Sequence, residues 1–204
     1  YGRTGHARRG KIVDLGDDGG VAYAYFGDGA ANQGQVYESF NLASLWELPV
    51  VFLIENNKYG MGTSVARAAS GGGLYKRGEG FGIPGKQVDG MDVVAVMNEG
   101  IEAAAYAREN GPVILEMETY RYRGHSMSDP AKYRSREEVS KMREEHDPIE
   151  GLKARALAAG LLSEEGMKAI DQDVRAVVAE AAEFAQQSPE PDPAELYTDI
   201  LLAS

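Results

Sequence analysis

Val21-Ala22-Tyr23-Ala24-Tyr25-Phe26 runs straight into Gly27-Asp28-Gly29, and Val50-Val51-Phe52-Leu53-Ile54 runs into Glu55-Asn56-Asn57. Each is a short apolar, β-prone run closed by turn-forming residues, so each reads as a buried strand. Between them, from about Gln35 to Leu48, Val36, Phe40, Ala43 and Trp46 recur at helical spacing, and Pro49 limits continuation. Strand, helix, strand implies a right-handed crossover and a parallel sheet. Both strand ends then emerge at one edge, where ligands bind in such sheets. The predicted class is α/β, a mainly parallel sheet flanked by helices.

Outward from this unit, residues 57–90 carry ten glycines in 34 positions, which reads as a long irregular and functional segment. A helix is expected from about Asp92 to Glu109, burying Val93, Val96, Ile101, Ala104 and Ala105. Val113 to Met117 is a further buried strand. Thr119 to Arg134 has no period of either kind. Ser135 and Glu138 form a capping box for the next helix. Asp147, Pro148 and Glu150 start another, which Gly160 ends. Ser163 opens a long helix with Met167, Ile170, Val174, Val177, Ala181 and Phe184 on one stripe. The expected division is a divergent segment 1–20, an α/β domain 21–146 and a helical extension 147–204 packed on it.

The 204 residues suffice for one medium domain with a real core. No apolar run approaches the roughly 18 residues needed to cross a bilayer, so no membrane partner is expected. The absence of cysteine removes disulfides, zinc thiolates and cysteine nucleophiles, and suits a reducing compartment. No secretory signal or initiator Met stands at the start, as in a fragment or processed chain. A net charge of −11 argues against general nucleic-acid binding. The charge is uneven: residues 119–143 hold 7 basic and 3 acidic side chains, while 144–204 hold 4 and 14. The basic stretch faces either solvent or an anion.

The two strand ends carry hard oxygens. Asp28 and Asn57 each offer one, and magnesium takes about six such ligands at about 2.1 Å, shared with phosphate. Gly29 and Ala30 let backbone N–H groups approach an anion, and the next helix aims its positive end the same way. Asp28 alone would repel phosphate, and a cation removes that conflict. Either tripeptide alone is more often an ordinary turn; 26 residues separate Gly29 from Asn56, and the pair at that spacing is specific.

Three stretches carry a resemblance: Gly27-Asp28-Gly29-Ala30-Ala31-Asn32-Gln33-Gly34, Glu55-Asn56-Asn57-Lys58-Tyr59-Gly60-Met61-Gly62-Thr63-Ser64, and Tyr120-Arg121-Tyr122-Arg123-Gly124-His125-Ser126-Met127-Ser128-Asp129-Pro130. They resemble the alpha subunits of thiamine-diphosphate-dependent 2-oxo acid dehydrogenases, the pyruvate dehydrogenases most closely. The resemblance runs from about Gly20 to the C-terminus, and Tyr1 to Asp18 do not follow it. It implies a thiamine-diphosphate-binding fold. It implies that Asp28, Asn57 and the Tyr59 carbonyl hold Mg2+, that Gly29 and Ala30 contact the diphosphate, and that His125 reaches the thiazolium end from a mobile loop. The implied reaction is decarboxylation of pyruvate followed by reductive acetylation of a lipoyl group on an acetyltransferase core.

It further implies a beta subunit in an alpha2-beta2 heterotetramer. That subunit supplies the glutamate that activates the cofactor, so the chain alone is expected to be inactive. Branched-chain 2-oxo acids or acetoin are alternative substrates. The expected location is the bacterial cytoplasm, with the mitochondrial matrix as the alternative. His146, near a helix end, reads as a surface residue, and His6 lies in the uninterpreted start. His125, in a basic loop without period, has an imidazole that exchanges a proton near neutral pH. Ser126 and Ser64 align with phosphorylation sites of mitochondrial members, but the loop follows the bacterial pattern and both read as plain loop serines. A scaffold subunit that only binds a partner is disfavoured by the Asp28/Asn57 pair. A nicotinamide-binding fold would need a third glycine where Asn32 stands.

Overall fold

The computed structural model describes residues 19–198. The chain divides at Leu152/Lys153 into two compact units. In the first, β1 (Ala22–Gly27), β2 (Val50–Asn56), β5 (Gly85–Asp89) and β6 (Val113–Glu118) form one parallel sheet in the order β1-β2-β6-β5. Two-residue strands β3 (Tyr59–Gly60) and β4 (Thr63–Ser64) form a small antiparallel pair. The helices are α1 (Gly34–Leu45), the single turn α2 (Val65–Ala68), α3 (Val93–Asn110) and α4 (Arg136–His146), with a 3-10 helix over Leu74–Phe81.

Alternation along the strands makes two cores, one on each sheet face. Phe52, Ile54 and Ile114 meet Phe40, Ala43, Leu74 and Ile83 on one side. Val51, Leu53, Val113, Leu115 and Met117 meet Ala103, Ala107 and Val88 on the other. Burial on both faces explains why Val50–Ile54 of β2 reads as an unbroken apolar run and β6 as one interrupted only by Glu116 before its end. Phe40 is fully buried, with its ring edge-on to Phe52 at 4.8 Å between centroids.

Four expectations change. β1 is the sheet's edge and not a buried strand: Tyr23 is 39% and Tyr25 62% exposed. β5 lies inside the stretch read as irregular. Its Gly-Lys-Gln-Val-Asp sequence buries only Val88, so no hydrophobic pattern announces it. In α3 the buried face is Ala103, Ala104 and Ala107, whereas Val93, Ile101 and Ala105 are exposed, because small residues let the helix approach the sheet. α1 stops at Leu45, three residues short of Leu48. Glu47 takes a positive φ of 53° and the N–H of Leu48 returns to the Ala43 carbonyl.

The caps follow the sequence. Asp92 accepts from the N–H groups of Val94 and Ala95, Ser135 from Glu138, Asp147 from Ile149 and Glu150, and Ser163 from Gly166. The box at Ser135 is half formed, since the Glu138 carboxylate instead takes the Tyr120 hydroxyl at 2.8 Å.

α5 (Pro148–Ala158) is followed by Gly160, whose φ is +67°. The second unit also holds α6 (Glu164–Gln187) and a 3-10 turn over Pro193–Tyr197. On the apolar stripe of α6, Ile170 and Val174 are about half exposed and Phe184 more so. No helix among the described residues is long and apolar enough to cross a membrane.

Candidate functional site

The sheet register brings the site together. Gly27 pairs with Glu55, and Asn56 and Asp89 both pair with Glu118. All four strands therefore end level at one edge, and Asp28, Asn57 and Thr119 are the residues that leave it. Asp28 is buried at 3% exposure. Burial pushes its carboxyl above the ordinary aspartate range, against the backbone N–H groups of Asp28 and Asn57 and the charges of Arg121 and Lys58.

After Asn57 the chain turns sharply. Lys58 takes φ +70°, and the Asn57 carboxamide oxygen accepts the Tyr59 N–H at 3.3 Å. The turn lies directly against the Asp28 loop: a Cβ on Gly60 would stand 3.0 Å from the Gly29 Cα. A side chain at either position would crowd the other's backbone, so glycine at both suits that approach. Gly29 itself is exposed and Ala30 half-buried. A short 3-10 turn, Ala30–Asn32, separates them from α1, whose first turn has no side-chain cap and no acidic residue. The Val36 N–H donates to the Gln33 carbonyl at 3.1 Å, and the positive end of the helix faces no side-chain acceptor of its own.

Arg121 closes the site. One of its Nη atoms donates both to the Asn57 Oδ1 at 3.2 Å and to the Tyr59 carbonyl at 3.0 Å. The other donates to the Met61 carbonyl at 2.8 Å and the Tyr133 hydroxyl at 2.7 Å. Two neutral oxygens thus converge on a single cationic nitrogen, close enough to the Asp28 carboxylate for its charge to be felt. These three donors suit a hard divalent cation, with the Arg121 nitrogen standing in for its charge. No cluster of three or more His, Cys, Asp or Glu side chains exists among the described residues, so a cation here draws on amide and carbonyl oxygens.

The same guanidinium reaches the His125 loop. The Tyr133 hydroxyl donates to Asp129 at 2.8 Å, and Asp129 accepts the N–H groups of His125 at 2.8 Å and Ala131 at 2.9 Å. These bonds hold the Asp129 carboxyl below its usual range, the His125 N–H contributing most. Arg134 lies over the Tyr120 ring at 4.0 Å and donates to the Asn57 carbonyl at 2.6 Å. Arg121, Arg123, Lys132, Arg134 and Arg136 line a cavity of about 410 Å³ beside the loop. The basic stretch of the sequence is therefore partly structural and partly a concave cationic surface.

Asp28, Gly29, Asn57 and Tyr59 are thus brought together, with Ala30 beginning the next turn. His125 is tied to them by its backbone, while its side chain is exposed. Ser126 is also exposed and shares a 3.0 Å hydrogen bond with Ser128. His146 is an exposed helix end; His6 lies outside the described residues. Arg121, Tyr133, Asp129 and Glu116 were not singled out by sequence reasoning. The signal for Glu116 was there, a lone carboxylate inside Val113–Met117.

The model of the Dehydrogenase E1 component family matches residues 4–194. The chain belongs to the dehydrogenase E1 component family. As a member, it is 64% identical over 183 residues to the pyruvate dehydrogenase E1 component subunit alpha of Rhizobium meliloti, covering 89% of this chain and 53% of that one. Against the Zymomonas mobilis subunit of the same name it is 57% identical over 187 residues, 91% and 52% of the two chains. Against the mitochondrial subunit of Solanum tuberosum it is 51% identical over 181 residues, 88% and 46%. The chain spans about half the length of the curated relatives it matches. The E1 match begins at residue 4, running through most of the stretch before Asp18 that the motifs alone do not reach.

Proposed function

We propose that this chain is the cofactor-binding half of the alpha subunit of a pyruvate dehydrogenase, acting with thiamine diphosphate and Mg2+ in the bacterial cytoplasm. The observation that carries the reading is the convergence of Asn57 Oδ1 and the Tyr59 carbonyl on one cationic nitrogen beside buried Asp28. The names of the relatives support pyruvate as the substrate. The full reaction decarboxylates pyruvate and reductively acetylates a lipoyl group of a partner domain, with a beta subunit completing the site.

In this reading Asp28, Asn57 and Tyr59 hold the magnesium ion. Bound thiamine diphosphate supplies the nucleophilic carbon and the electron sink for decarboxylation. The backbone of Gly29 and Ala30 and the positive end of α1 hold its diphosphate. Asp28 is buried and reluctant to ionise alone, so its charge is matched to a cation and not to solvent. His125 carries the proton-exchanging group on the loop that Asp129, Tyr133 and Arg121 fasten to the metal cradle. Anchoring at the backbone leaves its imidazole free to turn toward a lipoyl group.

The test is thermal unfolding of the full-length subunit assembled with its beta partner. Magnesium plus thiamine diphosphate is expected to raise the melting temperature, and Asp28→Asn is expected to abolish that rise. At a hundred times the dissociation constant the gain is about 2.7 kcal/mol. An unchanged melting temperature in the wild type would end this reading.

A further inference from the structure

One buried carboxylate lies outside the ligand set and is wired to it. Glu116 on β6 is 1% exposed and makes no ion pair among the described residues. One carboxylate oxygen accepts from the Asn56 Nδ2 at 2.6 Å, and the other from the Tyr75 backbone N–H at 3.0 Å. Asn56 is 2% exposed, and its Oδ1 accepts the Lys58 N–H at 3.0 Å. Lys58 is the residue at φ +70°, a conformation costly for any side chain except glycine. Its geometry decides where the Asn57 oxygen and the Tyr59 carbonyl point.

We propose that Glu116 is a positioning residue for the divalent-cation site. Its charge fixes the Asn56 carboxamide in one orientation, and that orientation holds the Lys58 turn. The proposal rests on the reading of Asp28, Asn57 and Tyr59 as cation ligands. Two donors face Glu116, and only a carboxylate presents an acceptor to both. A carboxamide there has one acceptor and one NH2 group. Its oxygen takes the Tyr75 N–H, and its NH2 then meets the NH2 of Asn56. Asn56 relieves that clash by flipping, which turns its own NH2 against the Lys58 N–H. The mismatch thus travels from the core into the turn that presents the ligands.

The same logic gives a rescue. With Glu116→Gln and Asn56→Asp together, the new NH2 at 116 donates to the new carboxylate at 56. The other oxygen of that carboxylate accepts the Lys58 N–H. Every donor is matched, and the single negative charge has moved one residue along the relay.

The experiment titrates Mn2+ into the full-length subunit assembled with its partner, reading free Mn2+ by electron paramagnetic resonance. Lys58 amide exchange is followed in parallel without metal. Glu116→Gln is expected to weaken Mn2+ by about tenfold or more, the usual effect of losing a group that orients a ligand, and to speed Lys58 exchange. Adding Asn56→Asp is expected to restore both to wild-type values. A folded Glu116→Gln with wild-type Mn2+ affinity overturns the proposal, as does a folded double variant no better than the single. If the single variant does not fold, the double decides: wild-type affinity supports the role and weakened affinity overturns it. If neither folds, Glu116 is purely structural and the proposal is wrong. Asp28→Asn separates the two levels, because unchanged Mn2+ binding there removes the ligand reading itself.

Discussion

Arg121→Met removes every donor of the guanidinium while keeping a side chain of similar length, and it asks whether this cation competes with a metal. In the structure one nitrogen holds two of the proposed ligands, at 3.2 Å from Asn57 and 3.0 Å from Tyr59. Hydrogen bonds from charged donors contribute about 1.5–3 kcal/mol each when well buried, and these are only part-buried, so about 1 kcal/mol each is the fair figure. A cation entering the cradle must first break both contacts. Its apparent affinity is then reduced by the free energy of the arginine-bound state. About 2 kcal/mol corresponds to roughly thirtyfold. In the absence of thiamine diphosphate, Arg121→Met is therefore expected to bind Mn2+ about thirtyfold more tightly than the wild type. The same variant loses the bonds to Met61 and Tyr133. Its loop, freed from the cradle, is expected to be cut faster by trypsin after Arg123. Resonance titration of free Mn2+ reads the first effect and timed proteolysis the second. A folded variant whose Mn2+ affinity is unchanged or weaker would show that the guanidinium does not occupy the cation's place.

Asp129→Asn is expected to release the loop at neutral pH, seen as lost protection of the His125 amide; a protected amide would contradict the anchoring role. In the wild type the Asp129 carboxyl titrates below its usual range, so its contribution is present above the unfolded value and lost as pH falls through the folded one. The anchor should hold at neutral pH and fail only in acid, below the ordinary aspartate range. Phe40→Ala removes a fully buried ring. It is expected to cost about 3–5 kcal/mol, or a fall of roughly 6–20 °C in Tm, measured by calorimetry; no fall would place Phe40 outside the core. Gly60→Ala drives a Cβ to 3.0 Å from the Gly29 backbone. It should weaken Mn2+ by roughly fivefold to a hundredfold, from about 1–3 kcal/mol of overpacking. Gly100→Ala, with nothing within 4 Å of the added carbon, is the neutral control.

The parts of the fold legible in the sequence are those where one physical requirement dominates. β2 and β6 are buried on both faces, so predominantly apolar runs reveal them, β6 despite Glu116. Ser135, Asp147 and Ser163 cap helices because local backbone donors need acceptors, and local needs leave local traces. β5 was not legible because an edge strand with one buried residue needs no pattern. The face of α3 was assigned correctly only at Ala104 and Val96, for a related reason. Helical spacing admits several faces, and close packing on the sheet selected alanines over the larger Ile101. The α6 stripe shows the limit from the other side: a period reports that a face is apolar, not what covers it.

The site divides in the same way. Asp28, Gly29 and Asn57 were legible because they sit where strands must end, and the register then makes their ends level. Arg121, Tyr133 and Asp129 belong to a segment without period, where sequence spacing says nothing about which atoms meet. Their order comes from a chain of hydrogen bonds that closes across 62 to 64 residues of sequence at Tyr59 and Asn57. Glu116 is the instructive case. A carboxylate in the middle of an apolar strand is too costly to keep without matched donors. The structure supplies those donors from Asn56 and Tyr75 rather than from a cation. Because Asn56 directly precedes Asn57 and its own oxygen accepts the Lys58 N–H, an isolated acid in the core becomes a lever on the turn that presents Asn57 and Tyr59.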